Sequence, residues 1–130
     1  MLAQIRLQEA QTLLKAGLPD GAYYLAGYSV ECALKARIAK RTQRHEFPDK
    51  KSVDASYTHN LKDLIKAANL ENDRAVYAAQ DPVFQGNWDL VQQWSERSRY
   101  ERNVQALAAA LIEAIANKRH GVMTWIKQRW

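Results

Sequence analysis

The stretch "AYYLAGYSVECAL", residues 22–34, is apolar on almost every side once wound into a helix. A helix that is hydrophobic all round must run through the middle of a molecule with other elements packed about it. Ala22, Ala26, Gly27 and Ser29 stand among Tyr23, Tyr24, Leu25 and Tyr28; such small residues let neighbouring backbones approach. Gly27 costs about 1 kcal/mol of helix propensity relative to alanine, so a close neighbour is expected there in compensation. The helix then runs into "KARIAKR", 35–41, and should leave the core for solvent. Its expected span is about Asp20 to Arg41.

The rest of the chain must surround that helix, and its pattern is also helical. Alternating β-branched runs are absent, while Ala, Leu, Gln, Glu, Lys and Arg dominate. Leu2, Ile5, Leu7, Leu13 and Leu14 predict an amphipathic helix over 2–16. "GLPDG", 17–21, breaks it, with Gly17 closing one helix and Asp20 capping the next. So short a turn implies antiparallel packing. Residues 42–57 read as a polar connection, expected to be the most mobile part.

Beyond it, Leu61, Leu64, Ile65 and Ala68 follow i, i+3, i+4, i+7, with Thr58 as cap and His59 in the first turn. Asn72 or Asp73 opens a short helix through Ala79. "QDPVFQGNW", 80–88, reads as a break, after which Asn87 caps a helix carrying Leu90, Val91 and Trp94. Leu107, Leu111, Ala114 and Ile115 form a last stripe. Its spacing resumes at Val122, Trp125 and Ile126, so one long helix through Gly121 is expected. Trp94 and Trp125 are expected in the core. The expected fold is all-α: an up-and-down helical bundle of four to five helices, one domain over residues 1–130.

Several function classes are disfavoured. No apolar run reaches the roughly 20 residues that span a bilayer, and "MLAQIRLQEAQ" lacks the apolar core of a signal peptide. A cytoplasmic protein without membrane partners is the expectation. Cys32 is the sole cysteine, which rules out an intrachain disulfide and a thiolate metal cluster; it reads as an inert thiol. His45 and His59, 14 apart with Glu46 and Asp49 near the first, do not make a metal site. No glycine-rich phosphate loop is present, and no cofactor is expected. The net charge is +5. Residues 35–51 hold seven bases (Lys35, Arg37, Lys40, Arg41, Arg44, Lys50, Lys51) against Glu46 and Asp49, and the tail from Lys118 holds four bases and no acid. Such a balance permits an anionic partner such as RNA. "WIKQRW", 125–130, mixes aromatic and basic residues as single-stranded nucleic-acid surfaces do.

Glu31 and Lys35 interrupt the apolar helix. Four apart with the acid first, they are well oriented for a helical ion pair. With Tyr28, Val30, Cys32 and Leu34 around it, Glu31 should be at least half buried, and a buried carboxylate needs a strong partner. Lys35 is one candidate. Arg99, in "WSERSRYERN", 94–103, is another, because arginine stays charged and grips a carboxylate in bidentate fashion. Arg99, Tyr100 and Arg102 together could bind phosphate and stack on a base.

"AYYLAGYSVECALKARI", a polar loop, "HNLKDLIKAA" and "SRYE" follow one another in an order that resembles the HEPN domains, small prokaryotic helical domains often encoded beside a minimal nucleotidyltransferase. The resemblance covers about Asp20 to Trp125, and "RY" at 99–100 matches the head of the last long helix. It implies a four- to five-helix bundle that forms homodimers, a toxin–antitoxin or nucleotidyltransferase-linked setting with a cognate nucleotidyltransferase-type partner, and RNA or nucleotide as ligand. Ribonuclease members of that family carry an arginine followed, after four to six residues, by a histidine. No arginine stands five to seven positions before His45, His59 or His120. No catalytic residue of that kind is therefore expected. The alternatives are a non-enzymatic dimerisation or protein-interaction module, and a metal-independent ribonuclease in which another residue, such as Tyr100, replaces the histidine.

Overall fold

The computed structural model describes residues 1–44, 54 and 57–130, and of 42–44 the backbone alone. The 42–57 connection expected to be mobile lies mostly outside the described residues, as do Lys50 and Lys51 of the basic stretch. All regular structure among the described residues is helical: seven α-helices and one 3-10 helix, more than the four to five expected. None is long and apolar enough to cross a membrane.

Helix α1 covers Leu2–Lys15. It closes as the sequence suggests. Gly17 takes a positive φ of 77°, and the N–H groups of Gly17 and Leu18 return to the carbonyls of Leu14 and Leu13 at 3.1 and 2.9 Å, so the last orphan carbonyls of α1 are satisfied within the turn. Helix α2, Pro19–Arg44, starts at once. Pro19 suits a first helical position because its missing N–H is an orphan there anyway. Asp20 therefore lies inside the first turn rather than at the cap. Its carboxylate instead accepts the backbone N–H of Asn103, a link of 83 residues that ties the start of α2 to the approach of a later helix.

Helix α2 is the axis of the molecule, with α1 along its length and three later helices and the 3-10 helix against it. Ala22, Ala26, Val30, Ala33 and Leu34 on it are fully buried. Ser29 is buried too and donates its hydroxyl to the Ala26 carbonyl one turn back. The close neighbour expected at Gly27 is the indole of Trp94: a Cβ on Gly27 would stand 2.2 Å from the ring. At the basic end, Arg37 is a rivet rather than a solvated charge. Its guanidinium donates to the carbonyls of Ala68, at 3.1 Å, and of Arg129.

Helix α3, Leu61–Ala67, is capped by Asn60, whose side chain accepts the Asp63 N–H at 3.2 Å. Thr58, the expected cap, instead accepts the N–H of Asn60, and His59 stands before the helix rather than in its first turn. Helix α4 runs from Glu71 to Gln80. The break expected in "QDPVFQGNW" falls at Asp81 alone, and from Pro82 the segment is already helix α5, Pro82–Gln92. Pro82 sits at the first helical position, where it is favoured. Asp81 accepts the Phe84 N–H at 3.1 Å as the cap, so Asn87 is left inside the helix.

The 3-10 helix η1, Glu96–Tyr100, follows, then α6, Gln105–Ala116, and α7, Val122–Lys127. The single long helix expected through Gly121 is thus two helices. The Asn117 side chain accepts the N–H groups of Arg119 and His120 at 3.0 and 2.8 Å and holds the turn. Gly121 packs so tightly on it that a Cβ would lie 2.3 Å from the Asn117 carbonyl oxygen and 2.6 Å from that of Ile115. Spacing alone missed this break because α7 buries Val122, Trp125 and Ile126 against the same core that α6 serves. Trp94 and Trp125 are buried as expected.

Candidate functional site

The arginine segment "SERSRYERN" is not at the head of a long helix. Its "ERSRY" is η1, which packs directly on α2. In a 3-10 helix, side chains three apart eclipse one another, so Glu96 and Arg99 share a face. That face, the exposed flank of α2 and the start of α1 enclose a groove of about 590 Å³. Tyr24, Tyr28, Glu31, Cys32 and Lys35 line it from α2, His59 from the segment before α3, and Glu96 and Arg99 from η1.

Glu31 is the deepest charged group, only 2% exposed. One of its oxygens, Oε2, receives both Lys35 Nζ at 3.3 Å and His59 Nδ1 at 2.9 Å. The other, Oε1, is buried without a hydrogen-bond partner. The Glu31–Lys35 pair is the one the helical spacing suggests. Among the described residues no ion pair joins Glu31 to Arg99; His59 stands where Arg99 was expected. The Arg99 guanidinium lines the groove and stacks on the Tyr100 ring, 4.7 Å from its centroid.

His59 is the residue that sequence reasoning missed. It is 28 positions from Glu31, so no helical spacing links the two. The only signal was indirect, a buried acid in need of a donor. Its second ring nitrogen, Nε2, faces Glu96 Oε2 at 3.5 Å. An imidazole held at one nitrogen by a buried carboxylate, with the other turned to an open groove, is positioned for hydrogen bonding or proton transfer.

The three expected ligand-binding residues are not gathered in one place. Arg99 lies in the groove. Tyr100 projects into solvent, 79% exposed. Arg102 lines a second depression of about 420 Å³ with Leu13, Leu18, Asp20 and Asn103, where its Nε approaches Asp20 at 3.9 Å.

Beside Glu31, the rings of Tyr24 and Tyr28 lie parallel within 7°, centroids 5.9 Å apart, and Tyr24 leans on Trp94 at 6.0 Å. They form a stacked aromatic pair at the side of the groove. Tyr28 is held above the usual tyrosine range chiefly by the neighbouring Cys32 sulfur and by burial. Burial pushes the Cys32 thiol up against the opposing hydrogen bond with Tyr28. Both groups are therefore neutral near pH 7, and Cys32 is not an activated nucleophile. Among the described residues no cluster of histidine, cysteine and acid could hold a metal ion.

A second histidine–carboxylate pair lies elsewhere. His120 Nδ1 stands 2.7 Å from Asp81 Oδ2, and the Asn87 side chain donates to the His120 carbonyl at 2.9 Å. The imidazole holds the Asp81 carboxyl below the usual aspartate range, with help from the Phe84 N–H. These contacts join the start of α5 to the α6–α7 turn.

Comparison of the chain with protein-family models, with curated proteins and with solved structures finds no match.

Proposed function

We propose that the chain is a HEPN-like helical protein of a toxin–antitoxin or nucleotidyltransferase-linked system that binds RNA or a nucleotide in the Glu31–His59 groove. The observation that carries the ligand class is the meeting of Arg99 and Lys35 with the stacked Tyr24–Tyr28 pair in that groove. Cations meet phosphate and flat rings meet bases, the two elements of single-strand recognition. Family, homodimer and nucleotidyltransferase-type partner rest on the sequence resemblance alone.

The groove is less basic than the arginine content suggests. Glu31 and Glu96 stand among its cations, and Lys35 is engaged by Glu31. Arg99 is then the principal phosphate ligand, Tyr100 extends the aromatic surface, and Arg102 belongs to a different depression. The test is fluorescence anisotropy with a short single-stranded RNA across a salt series. Arg99→Ala should weaken binding and lower the salt slope by about one phosphate contact, while Arg102→Ala should change it little. No binding even at low salt would overturn the reading and favour the interaction module, which the half-exposed Leu2 and Ile5 on α1 would serve.

A second reading, a metal-independent ribonuclease with a divergent site, is favoured by one observation. The groove holds a histidine braced at Nδ1 by Glu31, a far better base near neutral pH than Tyr100, whose class has an ordinary pKa of about 10. RNA cleavage in EDTA that is lost in His59→Ala supports it. Intact RNA under the same conditions removes it.

A further inference from the structure

We infer that the groove selects a guanine base, and this rests on the nucleotide-binding reading above. The lining has a division of labour. Carboxylates accept hydrogen bonds and cannot donate them when ionised. Glu96 is half exposed, and among the described residues its close partner is His59 Nε2, at a loose 3.5 Å. Its carboxylate is open to a ligand edge that offers two donors side by side. Among the described residues, buried Glu31 also keeps one oxygen without a donor beneath the same groove.

Among the common bases only guanine presents two adjacent N–H donors, N1–H and the 2-amino group, on its Watson–Crick edge. Adenine offers a donor beside an acceptor, and uracil a single donor between two acceptors. An acceptor edge held against Glu96 sets two lone pairs together and leaves both without partners, a costly mismatch in a confined site.

The other contacts fall into place around that edge. The stacked Tyr24–Tyr28 pair, which lines the groove, extends with the base as a further ring in its stack. Arg99 shares the face of η1 with Glu96 and offers a fork of donors to a phosphate. Lys35 adds a second cation from α2. Glu96 thus reads the base while Arg99 and Lys35 hold the charge.

The experiment is calorimetric titration of the full chain with the 5′-monophosphates of guanosine, inosine, adenosine and uridine. Inosine keeps N1–H and lacks the 2-amino group. Guanosine monophosphate should bind about tenfold or more tighter than the adenosine and uridine forms, with inosine between, as expected for a paired-donor contact. Glu96→Gln places an amide at a half-exposed position where it should not disturb the fold, which a thermal melt verifies. It should bring the four affinities together while phosphate-dependent binding persists. Arg99→Ala should weaken all four by a common factor. Equal affinities in the wild type, or a guanosine preference that survives Glu96→Gln, would overturn the inference and leave nucleotide binding standing. Failure of all four to bind would overturn the inference, and together with no RNA binding at low salt it would overturn both.

Discussion

Among the described residues two histidine–carboxylate pairs of nearly equal length stand in different surroundings. Asp81 and His120 stand 2.7 Å apart, Glu31 and His59 2.9 Å. Around the first, the neighbouring bonds tie helix ends and a turn together. Asp81 caps α5 through the Phe84 N–H, and His120 is fixed by Asn87 at its carbonyl and by Asn117 at its N–H. Around the second, capacity is left over. Glu31 keeps an oxygen without a donor, and His59 turns Nε2 toward the groove and a loosely held Glu96. The same chemical pair is a clasp where its neighbours belong to helix ends and a turn, and part of the candidate site where it lines a groove. Proximity of an acid and a histidine is therefore no functional signal by itself; the unspent hydrogen-bonding capacity beside it is.

Each pair also has a glycine nearby that admits a close approach, and substituting these two gives the largest expected effects. Gly121→Ala drives a Cβ into backbone oxygens, which cannot move aside, and should cost about 3 kcal/mol or more. Gly27→Ala meets the Trp94 ring, a side chain that can shift at the expense of the core, and should cost about 1–3 kcal/mol. Denaturant unfolding of both variants checks the order. A Gly27→Ala protein as stable as the wild type would show that the indole is not seated on α2.

Glu31→Gln comes next. It keeps the shape and weakens the hydrogen bonds to Lys35 and His59, for an expected loss of about 1–3 kcal/mol in the same assay. Unchanged stability would mean that the Glu31 charge is not used in the fold.

Asp81→Asn should act through pH. The Asp81 carboxyl lies below the usual range in the folded protein. Its contribution is therefore present above the unfolded aspartate value of about 3.9 and fades as pH falls through the lower folded value. The wild type should lose Tm more steeply than Asp81→Asn over that acid interval. Parallel curves would contradict the clasp.

The smallest effect concerns Cys32. Burial raises its thiol, so less reactive thiolate is present at a given pH than for an exposed cysteine. Iodoacetamide labelling should be slow near pH 7.5 and should rise only at higher pH than for a free cysteine. Rapid labelling at neutral pH would contradict the packing of Cys32 between Tyr28 and Lys35.

The sequence disclosed the parts of this fold that depend on local order. The burial of most of 22–34, the turn at Gly17, the need for a neighbour at Gly27 and the pairing of Glu31 with Lys35 all follow from spacings of four or fewer residues. Helix starts were readable where one residue carries the signal and ambiguous where two compete: Asn60 rather than Thr58, and Asp81 with Pro82 rather than Asn87. The break at Gly121 was hidden because α6 and α7 bury the same kind of stripe on the same core. The candidate site was only half visible. Its α2 residues share a helix face, and Arg99 stood out by type, but the link that organises the groove joins residues 31 and 59. That contact depends on how the segment before α3 returns to α2, which no local pattern encodes.

The most direct measurement is an NMR titration of the imidazole-labelled protein with a short single-stranded RNA containing all four bases. It reads the two histidine pairs in one sample. The expected result is a saturable shift of the His59 ring with His120 unmoved. A His59 ring that stays still at saturating RNA, or a His120 ring that moves as far as His59, would contradict the division between clasp and site.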